Sequence, residues 1–585
     1  MHRILYFAVI AVLVSGLVAF GCSSSGNYSS TAKSSQNTQD ADNEQGQGDE
    51  SPQDPFFTNG LTVVDQVTIG GDNGRLALDK NQKTCIVLQG SAYNMGYQMG
   101  YLMPEATSRL TSEFTRGVMA DFIGLEGEEI PDVLYQFIIN EVSILCNQAL
   151  DVIPDNLEKE MRGIAQGTAA RGYEVSFEDV LLLNEGIDAL FSIFMSRTLP
   201  NIDRLSDVLE GLYQEWPQAR EYIRLEGGEV LFPRANPYFM GCNEFVVSKT
   251  ATVGDHVFHG RDFMFPTGDI YQDYACMGVY LPDEGYPFIT ATAPGFVGQA
   301  TAVNSKGLSM GMDVVMGECT RSTPGLGCLL VLRDIVQNCS NLDEAVERMK
   351  AQDRGVSWIY VLADDEWSET YTNGIVVEEG MSEDENGQEF SGPDLLPLWE
   401  QWLLKPYIDR LDPQIVPDRG LMFRNQEWIY PREFWNINTN LTWGDDSKRF
   451  RIYFPDQIET WPDVVIATNN YIIPRMVLTT FSPWILLIRD VTERVWRYET
   501  LFDHIAPVYQ DIDFNTARDL IDFLNPNQDI DYEYYEPGGQ IEGHHAIIDN
   551  GELIMEALFG YYGPDAKHMT PWARIDLKPF LENVE

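Results

Sequence analysis

Positive charge is what this sequence has least of. Lys and Arg number 39 against 89 Asp and Glu, a formal net charge of −50 over 585 residues. Nucleic-acid binding draws on Lys and Arg neutralising phosphates, so a surface this acidic repels that polyanion and no nucleic-acid partner is expected. No CxxC pair occurs among the eight cysteines, which argues against a zinc ribbon. A P-loop, a dinucleotide fingerprint and an internal repeat are all missing, and no cofactor is implied. Beyond residue 21 no apolar run reaches the ~20 residues of a membrane helix. What is present is apolar content, 44% with 12% aromatic, enough to bury a sizeable core and to exclude wholesale disorder.

The N-terminus has its own grammar. Met1-His2-Arg3 is a short positive start, Ile4 to Phe20 is nearly all apolar, and Gly21-Cys22 follows. That is the layout of a signal peptide, residues 1–21. Val18-Ala19-Phe20-Gly21-Cys22 resembles a bacterial lipobox, which implies acylation of Cys22 and attachment to a membrane. Ser23 after it resembles lipoproteins sorted to the outer membrane, so a lipid-anchored place in the bacterial envelope is expected. Residues 22–57 are Ser, Asn, Gln, Asp and Gly with little apolar content, and they read as a flexible tether. Export permits disulfides, and Cys319, Cys328 and Cys339 lie close enough in sequence to pair.

In the body, apolar residues at three- and four-residue spacings predict helices over Glu105–Phe122, Val133–Leu150, Leu157–Ala169, Phe177–Met195 and Ile202–Arg224. After Cys242 short runs bounded by Gly, Asp and Pro predict strands: 245–247, 256–259, 276–280, 288–293, 299–303 and 308–315. Helices are expected over 326–337 and 342–352, with a further strand over 356–362. Strand runs followed by helix runs argue for α+β layering with an antiparallel sheet. Residues 380–460 are acidic, Trp- and Pro-rich and weakly periodic, and read as an insertion.

The segment Gly241-Cys242-Asn243-Glu244-Phe245-Val246-Val247 leads through a Gly254-Asp255 turn to His259-Gly260-Arg261-Asp262-Phe263, a hairpin. It resembles the start of the catalytic chain in Ntn-hydrolases of the acyl-CoA:6-aminopenicillanate acyltransferase and choloylglycine hydrolase group. The match extends to the Gly-rich run 90–100, to Pro294–Gly298, to Val303–Leu308, to Thr468-Asn469-Asn470 and to Arg494. The resemblance implies a four-layer αββα sandwich with an α-rich N-terminal segment. Residues 58–241 would be a helical pro-segment and 242–585 the catalytic chain. It also implies self-cleavage at Gly241-Cys242, with Cys242 then serving as the nucleophile on a small-molecule amide. Arg261 and Arg494 would support the thiol, and Asn469 would donate to the oxyanion. Asp313 falls where the family often has an Asn. The family's carboxylate near the new amine falls at Met264, with Asp262 the nearest substitute.

Chemistry supports this reading independently. Gly241 has no side chain to block approach of the thiol to its carbonyl. Hydrolysis of the resulting thioester would free an α-amine, whose pKa near ~8 suits a general base at working pH. Acyl-CoA is scarce outside the cytoplasm, so hydrolysis is favoured over acyl transfer. Two rivals stand beside it. Gly307-Leu308-Ser309-Met310-Gly311 fits a nucleophile-elbow pattern, though strand is expected after it where an elbow needs a helix. A non-catalytic ligand-binding lipoprotein is the other. No metal is expected: His256-x-x-His259-x-x-Asp262 lies on a strand, where odd spacings divide the faces. Asp529-x-Asp531-x-Glu533 has Tyr534 where a calcium loop needs Gly.

Overall fold

The computed structural model describes residues 54–582, apart from 123–124, 126–129, 196–208, 215, 227–228, 232–240, 266–269, 316, 318, 429–460, 462, 481–500, 523–542 and 560–570. The leader, Cys22, most of the tether, Arg494 and the Asp529–Glu533 spacing lie outside the described residues. Folded chain begins earlier than expected, inside the end of the tether. Asp54 accepts the Phe56 N–H, a short helix Pro55–Thr58 follows, and the Phe56 ring is buried edge-on against Phe580 at 5.6 Å.

Two sheets form the centre. In chain order the strands are β1 Thr62–Ile69, β2 Asp72–Leu78, β3 Thr84–Gly90, a small hairpin β4 Arg224–Glu226 and β5 Glu229–Leu231, then β6 Gly241–Val247 and β7 Phe258–Met264. There follow β8 Cys276–Pro282, β9 Phe288–Thr292, β10 Thr301–Asn304, β11 Ser309–Val314, β12 Trp358–Ser368, β13 Thr372–Glu379 and β14 Leu421–Asn425. The last are β15 Val464–Thr468, β16 Gly543–Asp549, β17 Ile554–Phe559 and β18 Ala573–Asp576. Ten strands pair in the order β1-β2-β3-β8-β9-β10-β11-β12-β13-β14, and six in the order β15-β6-β7-β16-β17-β18. All neighbours are antiparallel except β3 and β8.

The main helices are α1 Ala92–Leu102, α2 Pro104–Phe122, α3 Asp132–Ala149, α4 Asp155–Ala170, α5 Phe177–Phe194, α6 Cys328–Asn338, α7 Leu342–Ala351, α8 Leu398–Ile408 and α9 Phe514–Asp522. A large core joins α1–α6 to one face of the ten-stranded sheet through Ile86, Tyr280, Met310, Met312 and Tyr360. The other face of that sheet meets the six-stranded sheet: Val279, Ile289 and Val303 pack with Ile548 and Met555, while Ile359 and Val361 pack with Val246. Helix α9 packs on β7 and β16. The result is the expected αββα layering, because each sheet has apolar residues on both faces and needs a cover for each.

Three expectations change. The N-terminal segment is not purely helical, since residues 62–90 supply three strands to the large sheet. Ile202–Arg224 is not one helix: Pro217–Glu221 is a 3-10 turn, Arg224 opens β4, and 202–208 lie outside the described residues. Part of the supposed insertion is integral, since α8 lies within it and β14 pairs with β13 over five residues. Glycines explain one packing that periodicity cannot. Helices α1 and α4 cross in backbone contact at Gly96, Gly100, Gly163 and Gly167, where an added Cβ would stand 2.0–2.2 Å from a carbonyl oxygen of the other helix.

Candidate active site

The β6–β7 hairpin sets the site by parity. Cys242 pairs with Phe263, Asn243 with Asp262, Glu244 with Arg261 and Val246 with His259. Successive side chains alternate faces, so Cys242, Glu244, His259 and Arg261 share the face turned to the larger sheet. There β11 presents Ser309, Gly311 and Asp313 by the same alternation, while Met310 and Met312 point to the helices. Arg261, Glu244, His259, Ser309 and Asp313 are all fully buried between the sheets.

Arg261 is the hub. Its Nε is ion-paired with Glu244 Oε1 at 2.9 Å and its Nη1 with Asp313 Oδ1 at 2.9 Å. Nη1 also donates to the Asp262 carbonyl at 2.7 Å, and Nη2 donates to the Met312 carbonyl. A buried guanidinium needs this many acceptors, since each unpaired N–H would cost part of its hydration. The Cys242 thiol lies beside it, 99% buried, with Sγ 3.7 Å from the Met264 carbonyl. Burial pushes the thiol up to about 11, while the charge of Arg261 and a hydrogen bond from it pull the other way and Asp313 pushes it up. Burial likewise raises the Glu244 carboxyl to about 8, against the pull of Arg261 and of a hydrogen bond with Asp313.

Asn469, just past the end of β15, meets the other end of Cys242. Its Oδ1 accepts the Cys242 N–H at 2.7 Å and its Nδ2 donates to the Val314 carbonyl at 2.7 Å. One Nδ2 hydrogen is thereby used and its second can serve an oxyanion. The loop carrying Asn469 is held from β13: Glu378 accepts the Ile472 and Ile473 N–H groups and is paired with Arg424.

The structure therefore brings Cys242, Arg261, Asp313 and Asn469 together, with Gly241 opening β6. Asp262 goes elsewhere. Phe263 continues the strand, so Asp262 shares the face of Met264, away from the thiol. Its carboxylate accepts from Asn243 Nδ2 at 2.8 Å and pairs with His545 Nε2 at 3.0 Å. His256 precedes β7 and meets Asp549 at 2.9 Å, whereas His259 is buried, so the two histidines do not converge. Ser309 sits inside a strand with no helix behind it, and Gly311 of its pattern makes room for Glu244. The seven described cysteines are free and buried. Cys328 and Cys339 lie at opposite ends of α6, some ~16 Å of helical rise apart, and Cys319 sits by Ser357 and Tyr471. Glu244, Ser309 as its neighbour's partner, and Asn243 were missed as contacts. The alternation from Cys242 and Arg261 was signal enough to find Glu244 and His259.

Beside Phe263, the strand partner of Cys242, is a tight cleft with a cavity volume of about 30 Å³. Phe263, paired with Cys242, forms one wall; Phe265, Tyr271, Phe296, Met312 and Trp358 form most of the rest, and Phe114 and Ile187 reach in from α2 and α5. The lining is almost wholly apolar. Asp188 orients the Trp358 indole through a 2.9 Å hydrogen bond, and Asn184 holds the 295–298 loop through the Gly295 carbonyl and the Val297 and Gly298 N–H groups.

One family-model match agrees with the resemblance read from the sequence. Residues 254–384 match the family model described as acyl-coenzyme A:6-aminopenicillanic acid acyl-transferase. A curated relative, described as an uncharacterized protein of Archaeoglobus fulgidus, is 29% identical over 500 residues, 85% of this chain and 66% of that one. The chain thus spans just under two thirds of that relative's length. Among solved structures, similarity is found to a Caenorhabditis elegans ortholog of N-acylethanolamine-hydrolyzing acid amidase, at 10% identity over 53% of this chain and 93% of that one, TM-score 0.29. It is found also to penicillin V acylase of Agrobacterium tumefaciens, at 10% identity over 55% and 83%, TM-score 0.26. A variant of conjugated bile acid hydrolase from Clostridium perfringens matches at 11% identity over 58% and 92%, TM-score 0.27.

Proposed function

We propose that the protein is a cysteine hydrolase that cuts an amide bond through an acyl-thioester on Cys242, after freeing that residue as a new N-terminus. The observation that carries the reading is the position of Cys242: second residue of its strand behind Gly241, amide held by Asn469, thiol held against Arg261. In maturation, Sγ attacks the Gly241 carbonyl carbon, the Gly241–Cys242 C–N bond breaks, and the nitrogen leaves as the α-amine of Cys242. Water then hydrolyses the thioester and Gly241 keeps the carboxylate. In turnover the same amine takes the thiol proton, Sγ attacks the substrate carbonyl, and the proton passes to the leaving amine. Asn469 Nδ2 supports the oxyanion, a contribution of about 3 kcal/mol per donor in well-studied cases. Water as acceptor completes hydrolysis; an amine would complete acyl transfer. The apolar side chains around Phe263 favour an uncharged acyl group. Lipidation at Cys22 would place the enzyme at an envelope surface, with the amide substrate as a small molecule.

The test is mass spectrometry of the N-termini of the body produced without its leader. A fragment beginning at Cys242, absent in Cys242→Ala, together with amine release from acyl anilides, is the expected result. An uncut chain whose amidase activity is lost in Ser309→Ala would overturn it, and an uncut, inert chain that binds ligand would mark a binding protein. Radiolabelled fatty acid incorporated by the full chain but not by Cys22→Ser checks the anchor.

A further inference from the structure

Behind Arg261 runs a buried polar chain that the reaction above does not use. Asn550 Nδ2 donates to Ser309 Oγ at 2.8 Å; Ser309 Oγ meets His259 Nδ1 at 2.8 Å; His259 Nε2 meets Glu244 Oε2 at 2.8 Å; and Glu244 Oε1 pairs with Arg261. The direction of this chain can be deduced. Asn550 Nδ2 also faces the Gly307 and Ala363 carbonyls, so its amide nitrogen, not its oxygen, points to Ser309. Ser309 therefore accepts from Asn550 and donates its own hydrogen to His259 Nδ1. The imidazole then carries its proton on Nε2 and donates to Glu244. Burial and Arg261 keep this histidine neutral, its pKa lowered to about 3.

We infer that Glu244, clamped through His259 by Ser309 and Asn550, is a positioning residue that governs how much of the Arg261 charge reaches the Cys242 thiol. Among the described residues, the site sets one cation against three groups able to carry negative charge: Glu244, Asp313 and Cys242. Every carboxylate that Arg261 neutralises leaves less of its field for a thiolate. Around Glu244, β7 presents Arg261 and His259, β11 presents Asp313 and Ser309, and β6 presents Cys242. Strand β15 brings only Ala467 opposite it, and the inward residues Ile359, Val361 and Ala363 of β12 are apolar. At the higher pH where the thiol ionises, Glu244 has already lost its proton, and the clamp, by fixing Oε2 as an acceptor, keeps that carboxylate facing Arg261. Loosening it should let the carboxylate turn away and leave more of the Arg261 charge for the thiol.

The functional meaning rests on Cys242 being the nucleophile, but the measurement does not. Thiolate formation at Cys242 is read as absorbance near 240 nm across pH 5 to 11 in the folded full-length chain, as the difference from Cys242→Ser. Glu244→Gln, which keeps shape and removes charge, should lower the thiol pKa by at least about one unit, about tenfold more thiolate at a fixed pH below it. Ser309→Ala should lower it by a smaller amount, and should add nothing in the Glu244→Gln background. An unchanged or raised thiol pKa in Glu244→Gln, or equal effects of Ser309→Ala in both backgrounds, would overturn the inference. Should Glu244→Gln fail to fold, judged by circular dichroism, Ser309→Ala decides alone: a downward shift supports the inference and no shift overturns it. Loss of amide cleavage with these shifts intact would count against the proposed function, not against the coupling.

Discussion

Gly311 offers the sharpest test of how tightly the two sheets close over Glu244. A Cβ at this position would stand 2.3 Å from Glu244 Oε2 and 2.7 Å from both Cδ and Oε1. Contacts that short cannot persist, and Glu244 has nowhere easy to go, because His259 holds one oxygen and Arg261 the other. Two responses remain. Either the sheets separate locally, an overpacking cost of about 1–3 kcal/mol, or Glu244 abandons Arg261, which costs about 3–5 kcal/mol by leaving buried charge unpaired. The cheaper response sets the cost, so Gly311→Ala should destabilise by about 1–3 kcal/mol, read as a lower urea midpoint at unchanged slope. The double variant Gly311→Ala/Glu244→Ala removes the colliding carboxylate, and its cost should fall short of the sum of the singles by more than about 1 kcal/mol. A Gly311→Ala protein that unfolds at the wild-type midpoint, or strict additivity, would refute the close packing of Glu244 against β11.

Three further predictions concern the same region. Asn469→Ala removes both the acceptor for the Cys242 N–H and the candidate oxyanion donor, and should slow amide cleavage by about 10²–10³-fold in steady-state assays. Glu378→Ala frees two backbone N–H groups and Arg424 beneath the Asn469 loop; it should lower thermal stability and weaken turnover, and unchanged kinetics would separate that loop from the site. Stability should fall as pH rises from about 5 to about 8, followed by thermal unfolding. Glu244 at about 8, Glu378 and Glu379 at about 7, and Asp188 at about 6 all lie above their ordinary values, chiefly through burial. The folded state therefore holds more protons than the unfolded one, and that stability is lost as each group ionises. His259 acts oppositely: neutral in the fold, it removes stability only as pH drops below about 6.5. A protein more stable at pH 8 than at pH 5 would refute this.

Much of the site was legible because strand parity is a local rule. Once Cys242 and Arg261 are placed on one hairpin, Glu244 and His259 follow at two-residue offsets. The same rule decides Asp262, whose side chain turns to Asn243 and His545 once Phe263 is known to continue the strand. The strands at 62–90 were harder to see. Their outer members β1 and β2 carry Gln66 and Asn73 on exposed positions and Asp65, Asp72 and Arg75 half-buried, and lack a continuous apolar run, so their stability comes from pairing onto β3 and not from their own pattern. Asn469 lies 227 residues from Cys242 and Asn550 lies 241 from Ser309 along the chain, and no local periodicity encodes such a contact.

The parallel join of β3 to β8 bears on what a break before Cys242 would mean. The three N-terminal strands form one flank of the ten-stranded sheet, and β8 has no other neighbour on that side. Buried polar links also cross the break: Glu160 of α4 pairs with Arg333 of α6, and Glu185 and Asp188 of α5 accept the Gly327 and Cys328 N–H groups at the head of that helix. Stripping away residues before 241 would unpair one whole edge of β8 and leave Arg333 without its carboxylate. The newly bared strand would be an adhesive surface, inviting association with other chains. Severing one peptide bond here would create two polypeptides and still leave one fold.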